Sequence, residues 1–388
     1  MAGRRLIRRL AAAALALVMA AGPAHAADPP VPPRAGDAVR VAQFNAAMAR
    51  KGAGVLIRDI ARGDPQVLAV AEIILRVRPD ILLINELDAD PEGRALAGFR
   101  NLLAEGVAGL DGLDYAHAHQ GPQNVGIPSG HDLDGDGRSM GPGDAFGFGR
   151  FPGQYAMAVL SRFPLGAVRS FARLRWAAMP GARRPVKPDG TPFHADAAWQ
   201  AMRLSSKAHW IVPVAIEGGT LHLLAAHPTP PVFDGPEDRN GRRNADEIRL
   251  IREILGAGGD WLADDTGRPG GLGPADLVVV AGDLNADPDG GDGIRAEIAA
   301  LLADPRLQDP APASPGAPGG QTADWPDAPG GPISLRVDYV LPSTGFEVLG
   351  AGVFWPGRGD PLARLTGLRK RRPASSDHRL VWVDLRPR

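Results

Sequence analysis

The sequence predicts an α+β sandwich, and three observations carry that expectation. Short apolar runs rich in Val, Ile and Leu recur between turn-rich stretches, while only a few segments have helical spacing. The strands come in hairpin-like runs with helices interspersed, rather than in the strict alternation of a doubly wound sheet. With 50 Gly and 38 Pro among 388 residues, more than a fifth of the chain punctuates structure, which argues against coiled coils and all-helical bundles. Hydrophobic residues at 44% and charged ones at 22% exclude wholesale disorder.

Residues 1–26 read as a secretory signal: Arg4, Arg5, Arg8 and Arg9 form a cationic front, an apolar middle runs from Leu10 to Ala21, and Ala24-His25-Ala26 makes the cleavage site. The paired arginines leave a twin-arginine export route open beside the general one. The apolar middle is shorter than the ~20 residues of a membrane span. The mature chain is therefore expected to be exported, periplasmic or extracellular, with no stable membrane insertion. Residues 27–38 form a Pro-rich leader and 39–388 one domain with long loop insertions. Apolar runs place strands over 39–44, 81–85, 155–161, 167–175, 209–216, 220–226, 277–282, 334–341, 346–353 and 379–385. Helical spacing places helices over 65–77, 92–105, 245–255 and 294–302. Gly/Pro-rich stretches at 120–153, 177–206, 228–244 and 304–332 are the insertions, where function often sits.

Composition narrows the chemistry. The chain has no cysteine, hence no disulfide, no thiolate nucleophile and no Cys-ligated zinc. Its 43 Lys and Arg against 44 Asp and Glu leave a net charge of −1, so any nucleic-acid surface must be local. No protein partner is inferable.

The most informative pattern lies at the ends of the apolar runs. Val-Arg-Val-Ala-Gln-Phe ends at Asn45, Ile-Leu-Leu-Ile-Asn at Glu86, Leu-His-Leu-Leu-Ala-Ala at His227, and Leu-Val-Val-Val-Ala-Gly at Asp283, with Asn285 two positions on. Asp338, inside an apolar run, and Asp377-His378, before the last strand, can reach the same face. Asp and Asn are poor strand residues, and an acid in an apolar run needs a partner or an ion. One such ending is an ordinary turn residue; the repetition points to a shared edge of catalytic side chains.

These residues, in the motifs Gln43-Phe44-Asn45, Asn85-Glu86, His227, Gly282-Asp283-Leu284-Asn285, Asp338-Tyr339 and Ser376-Asp377-His378, resemble the endonuclease/exonuclease/phosphatase superfamily, which includes deoxyribonuclease I, abasic-site endonucleases, neutral sphingomyelinases and inositol-phosphate phosphatases. The resemblance spans nearly all of 39–388. It implies a four-layer α/β sandwich, two mixed β-sheets face to face with helices outside, and a divalent metal at one end. It also implies Glu86 and Asp377 as metal-binding carboxylates, with Asn45 as a ligand or phosphate contact. Such oxygen donors suit Mg²⁺ or Mn²⁺. Asp283 resembles the residue that orients or deprotonates the attacking water, and Asn285 the one that hydrogen-bonds the phosphoryl group. His378 resembles the histidine that meets negative charge growing on the phosphoryl oxygens or passes a proton, with Asp338 holding its ring. His227 matches the second histidine of the deoxyribonuclease I and sphingomyelinase branches. Its expected acidic partner is not evident, and Gln154 is the candidate for that position.

Other features have two readings each. Asp132, Asp134 and Asp136 with Gly135 and Gly137 reproduce the first half of a calcium loop, for a structural Ca²⁺, but its twelfth position is Gly143, which leaves an ordinary Asp/Gly turn open. Arg369, Lys370 and Arg371, with Arg372, form a basic run before Asp377 that either contacts substrate phosphate or is a solvated loop. Arg242, Arg243 and Asn244 open the helix expected at 245, where an anion could bind. Lys207 and His209 either line the site or belong to a strand edge. Arg358-Gly359-Asp360 arises by chance in such a chain.

The resulting expectation is a secreted, metal-dependent hydrolase of phosphoric esters in which water attacks phosphorus in line, foremost a phosphodiesterase acting on DNA or RNA. A phosphomonoesterase, or a sphingomyelinase-like phospholipid phosphodiesterase, is the alternative within the class. A non-catalytic metal-binding module on the same fold is the alternative outside it, disfavoured because Glu86, Asp283, Asn285, Asp377 and His378 are all present.

Overall fold

The computed structural model describes residues 31–256, 258–328, 331–369 and 372–388. The secretory-signal reading of residues 1–26 lies outside them. Among the described residues no helix is long and apolar enough to cross a membrane. From Val31 onward the leader packs on the fold, with Val31 in an apolar cluster and Arg34 ion-paired with Asp80.

The first half runs from β1 (Val39–Met48) through α1 (Val55–Ala61) and α2 (Pro65–Val77) to β2 (Ile81–Leu87), which lies parallel to β1. Asp64 starts α2 by accepting from the N–H groups of Gln66 and Val67, and Pro65 takes the first helical position, where no N–H is needed. Next come α3 (Arg94–Glu105), β3 (His117–His119) and β4 (Ala158–Ser161). The second half runs through β5 (Arg169–Ser170), α4 (Asp196–Ala201), β6 (His209–Ile216), β7 (Gly219–Ala226), α5 (Arg239–Leu255) and β8 (Leu277–Asp283), with β7 and β8 parallel. The last elements are α6 (Arg295–Leu302), β9 (Ala323–Trp325), β10 (Ile333–Leu335), β11 (Asp338–Pro342), β12 (Phe346–Val353), β13 (Leu368–Arg369), β14 (Arg372–Pro373) and β15 (Val381–Pro387).

One sheet has the order β12-β15-β1-β2-β4-β3 and the other β11-β8-β7-β6-β5. Period-two alternation sorts their side chains into layers. Ile81 and Leu83 share a cluster with Val279 and Ala281 between the sheets, whereas Leu82 and Ile84 pack with α2 and α3, and Val278 and Val280 with α5 and α6. The result is the expected pair of mixed sheets with helices outside. Because β1 parallels β2 and β7 parallels β8, their C-terminal ends meet at shared edges; β11 and β15 are antiparallel to β8 and β1 and so begin where those strands end.

Several elements differ from expectation for identifiable reasons. The strand expected over 167–175 shrinks to β5, because the Asp265 carboxylate captures the N–H groups of Ala172 and Arg173 that a ladder would need. The strand expected over 155–161 pairs with β2 only from Ala158, since Tyr155 is left-handed (φ 63°) and its N–H goes to Asp88. The run over 334–341 splits into β10 and β11, where Thr322 Oγ1 accepts from the N–H groups of both Val337 and Asp338. The helix expected from 245 begins at Arg239. Its first turns bury polar rather than apolar residues, so hydrophobic spacing does not reveal them.

Candidate active site

Asp283 ends β8 and lies opposite Asp338, the first residue of antiparallel β11. Asn45 lies on β1 in register with Asn85 on β2, and Glu86 follows it. Asp377 and His378 come just before β15, where Ser376 Oγ donates to the Asn45 carbonyl at 2.7 Å and accepts from the His378 N–H at 3.0 Å. His227 follows β7. The topology therefore gathers every strand-end residue singled out by sequence at one edge of the two sheets. Glu86, Asn285 and Tyr155 there hold positive φ of 58°, 51° and 63°, a conformation that costs a non-glycine residue of order 1–3 kcal/mol and is typical of functional sites.

The Asp283 carboxylate is the centre. It accepts from Asn45 Nδ2 at 2.9 Å and from the Asn285 N–H at 3.0 Å, and the Nε2 atoms of His227 and His378 stand 3.4 and 3.7 Å from its Oδ2. Burial pushes this carboxyl up, but His378, His227 and Asn45 together pull it well below the usual carboxylate range. The Nδ1 of His378 pairs with Asp338 Oδ2 at 2.9 Å, and Gln43 Nε2 fixes the other Asp338 oxygen at 3.0 Å. Burial disfavours the charged ring of His378, yet Asp338 and Asp283 raise its pKa well above the ordinary histidine value. His227 behaves oppositely: burial and then Lys207 lower it to about 4, and its Nδ1 is buried without a partner among the described residues. Gln154 is not the partner of His227. Its side chain accepts from the Arg150 N–H at 2.7 Å and donates to the Arg50 carbonyl at 2.6 Å.

Glu86 and Asp377 form the other side. Trp325 Nε1 donates to Asp377 Oδ2 at 2.9 Å and its ring meets His378 edge-on at 5.4 Å. No hydrogen bond reaches the Glu86 carboxylate among the described residues, and burial followed by the facing charge of Asp377 pushes it up to about 7. Two facing carboxylates, one lacking any donor, are a donor set short of a positive charge, and they fit a hard divalent cation. Asp283, Asp338 and His378 also bring ligand atoms within 4.8 Å of one another, but there the ring and the carboxylates already satisfy each other.

Lys207 completes the edge. It is 7% exposed, and its Nζ lies 3.5 Å from the Pro228 carbonyl, which also accepts from Asn285 Nδ2 at 3.1 Å. Burial lowers its pKa against the pull of Glu247, Glu86 and Asp283. Helix α5 holds the surrounding loops: Glu247 accepts from the N–H groups of Ser206 and Thr229, and Arg243 donates to the carbonyls of Leu204, Phe146 and Arg203. The expected anion site at the start of that helix is thereby corrected. Arg242 and Arg243 sit inside the helix rather than at its start, Arg243 is spent on carbonyls, and Arg242 Nε donates to the Glu237 carbonyl.

The remaining candidates fall into two groups. Asp132, Asp134 and Asp136 bring carboxylate oxygens within 4.8 Å of one another, and the charges of all three act on buried Asp144. Arg369 pairs with Arg372 in the β13–β14 hairpin, whereas Lys370 and Arg371 lie outside the described residues. Sequence reasoning missed Trp325 and Thr322, isolated in a Gly/Pro-rich stretch with no periodic signal. Lys207 did carry a signal: it is a lysine in an arginine-rich chain, at the start of a strand on the catalytic edge.

The family model described as the Endonuclease/Exonuclease/phosphatase family matches residues 42–378. Among solved structures, the chain is similar to an endonuclease/exonuclease/phosphatase from Beutenbergia cavernae at 21% identity and a TM-score of 0.50, over 90% of this chain and 72% of that one. It is also similar to a family protein from Leptotrichia buccalis at 15% identity and a TM-score of 0.49, over 90% of this chain and 99% of that one. TDP2 of D. rerio, complexed with a single-strand DNA product, matches at 12% identity and a TM-score of 0.47, over 90% of this chain and 99% of that one. No curated protein matches the sequence. The chain belongs to the endonuclease/exonuclease/phosphatase family, whose members are metal-dependent hydrolases of phosphoric esters.

Proposed function

We propose that the protein is an exported phosphodiesterase that uses Mg²⁺ or Mn²⁺, with nucleic acid as its leading substrate class. The observation that carries the diester reading is the charge at the edge. In formal charge, the four carboxylates of Glu86, Asp283, Asp338 and Asp377 are matched by Lys207, an imidazolium at His378 and one divalent ion, which leaves no excess of positive charge. Such a site suits the single negative charge of a phosphodiester better than the two of a monoester. Phe148, 57% exposed, packs 6.3 Å from Tyr155, on which the charge of Glu86 acts, so an aromatic surface for a base lies beside the carboxylates.

Glu86 and Asp377, with Asn45 adjacent, would hold the ion. When bound, it supplies positive charge that polarises the phosphoryl group. Asp283 stays ionised and so acts as an acceptor that aligns the attacking water, kept in place by Asn45 and the Asn285 N–H. His378, protonated and held by Asp338, presents Nε2 to charge growing on the phosphoryl oxygens, and Asn285 adds an amide donor. His227 stays neutral at its side of Asp283. Apart from this edge, Asp132, Asp134, Asp136 and Asp144 form no ion pair among the described residues, which keeps a structural Ca²⁺ there in the same reading.

The test compares hydrolysis of bis(p-nitrophenyl) phosphate with p-nitrophenyl phosphate, with Mg²⁺ or chelator and with His378→Ala as control. Metal-dependent preference for the diester is expected. Preference for the monoester overturns the phosphodiesterase reading, and equal rates with chelator overturn the metal half.

A further inference from the structure

We propose that Lys207 is a catalytic residue that, side by side with Asn285, donates to a non-bridging oxygen of the phosphoryl group under attack. This deepens the reading of the same site given above. The ammonium is almost fully buried, yet Lys207 forms no ion pair among the described residues. Among the described residues the ammonium makes a single hydrogen bond, the 3.5 Å contact to the Pro228 carbonyl. A buried charge left so poorly paired is costly, and the cost persists where function requires it.

The surroundings show what the ammonium is placed to meet. Glu247, then Glu86 and Asp283, act on it through space, but none reaches ion-pair distance among the described residues. Its charge therefore stands within reach of the cation-binding and water-aligning carboxylates without being consumed by either. The Pro228 carbonyl accepts from Asn285 Nδ2 and from Lys207 Nζ, which brings both donors to one spot with further N–H groups unspent among the described residues. The backbone beneath is rigid: Glu247 Oε1 accepts from the Ser206 N–H at 2.6 Å and from Ser206 Oγ at 3.0 Å, and the Lys207 carbonyl accepts from the Asn124 N–H at 3.0 Å. Preplaced donors of this kind stabilise charge that develops only in the transition state. A strut holding the Pro228 loop would need a better hydrogen bond than one at 3.5 Å.

The experiment uses Lys207→Met, which keeps the length of the side chain and removes the charge, with Lys207→Arg as the conservative variant. Turnover is followed on whichever of the two chromogenic esters the wild type cleaves, because a phosphoryl oxygen is common to both; a monoester preference would sink the diester reading and leave this test intact. Lys207→Met is expected to lower kcat by roughly 10²–10³-fold, with Lys207→Arg recovering part of the loss. Melting temperature should hold or rise, since an unpaired buried charge has gone. In parallel, inorganic phosphate should raise the melting temperature of the Mg²⁺-loaded wild type and do so less for Lys207→Met. Turnover within threefold of wild type, an equal phosphate-linked shift in both proteins, or activity lost only together with the fold in both variants would overturn the assignment. A wild type with neither turnover nor a phosphate-linked shift would overturn it as well.

Discussion

Glu86 and Asp283 are near-equivalents in the primary structure: each lies at or next to the end of an apolar strand, one in each sheet, and both reach the same edge. Their electrostatics are opposite. Asp283 is met by an asparagine amide, a backbone N–H and two imidazoles, and its carboxyl is held well below the usual range despite burial. Glu86 is met by another carboxylate and no donor among the described residues, and is pushed up to about 7. Neither depth nor residue class therefore decides the state of an acid at this edge; the inventory of donors around it does. One half of the edge is electrostatically complete in the protein alone. The other half is complete only with a cation, which divides the proposed labour into a water-aligning side and a metal-holding side.

The largest expected effect breaks the complete half. His378→Ala should lower kcat by roughly 10²–10⁴-fold while leaving the Mg²⁺-linked rise in melting temperature intact. A variant with unchanged rate would remove His378 from the mechanism. The next effect concerns the incomplete half: at Mg²⁺ a hundredfold above its Kd the wild type should gain about 2.7 kcal/mol of stability, read by thermal unfolding. Glu86→Gln and Asp377→Asn should lose that gain, whereas Asp283→Asn should keep most of it. If Glu86→Gln is stabilised as much as the wild type, the division between the halves fails. Smaller again is Trp325→Phe, which removes the Nε1 donor from Asp377 and should weaken Mg²⁺ about tenfold with little change in melting temperature when chelator is present.

How much of this was legible in the sequence depends on the range of the interaction. Apolar runs that end on a polar residue announce both the sheets and the edge, because such runs and their termination are local properties. That is why Asn45, Glu86, His227 and Asp283 stand out in the sequence itself. The pairing that sets Asp338 opposite Asp283 is long-range and leaves no local mark in the sequence. The start of α5 was invisible for another reason. Its buried face is built from Arg243, Asn244 and Glu247, which bind loops instead of packing apolar surface, so no hydrophobic stripe marks it. Trp325 acts through one indole N–H at the end of a short strand, with nothing periodic to point at it. For Lys207 the sequence leaves site and strand edge both open, since whether a lysine before a strand reaches the site depends on loops folded over it by α5.

The smallest expected effect is the pH dependence of stability without metal, and here the two acids should differ in sign. The Glu86 carboxyl, raised from an ordinary value of 4.5 to about 7, binds its proton more tightly folded than unfolded. Its contribution is fully present below about pH 4.5 and is lost as the pH rises toward 7. Asp283 is depressed, so its contribution is present above the ordinary aspartate value of 3.8 and is lost only as the pH falls through its lower folded value. Solvent screening at the partly exposed Glu86 leaves an expected change on the order of 1 kcal/mol. Urea unfolding of chelated protein between pH 4 and 8 reads it. Glu86→Gln should gain stability relative to wild type across the window from about 4.5 to 7, Asp283→Asn should run parallel to wild type there, and saturating Mg²⁺ should abolish the difference in slope. Parallel profiles for wild type and Glu86→Gln would mean that the Glu86 side has found a donor of its own, and the contrast between the two acids would collapse.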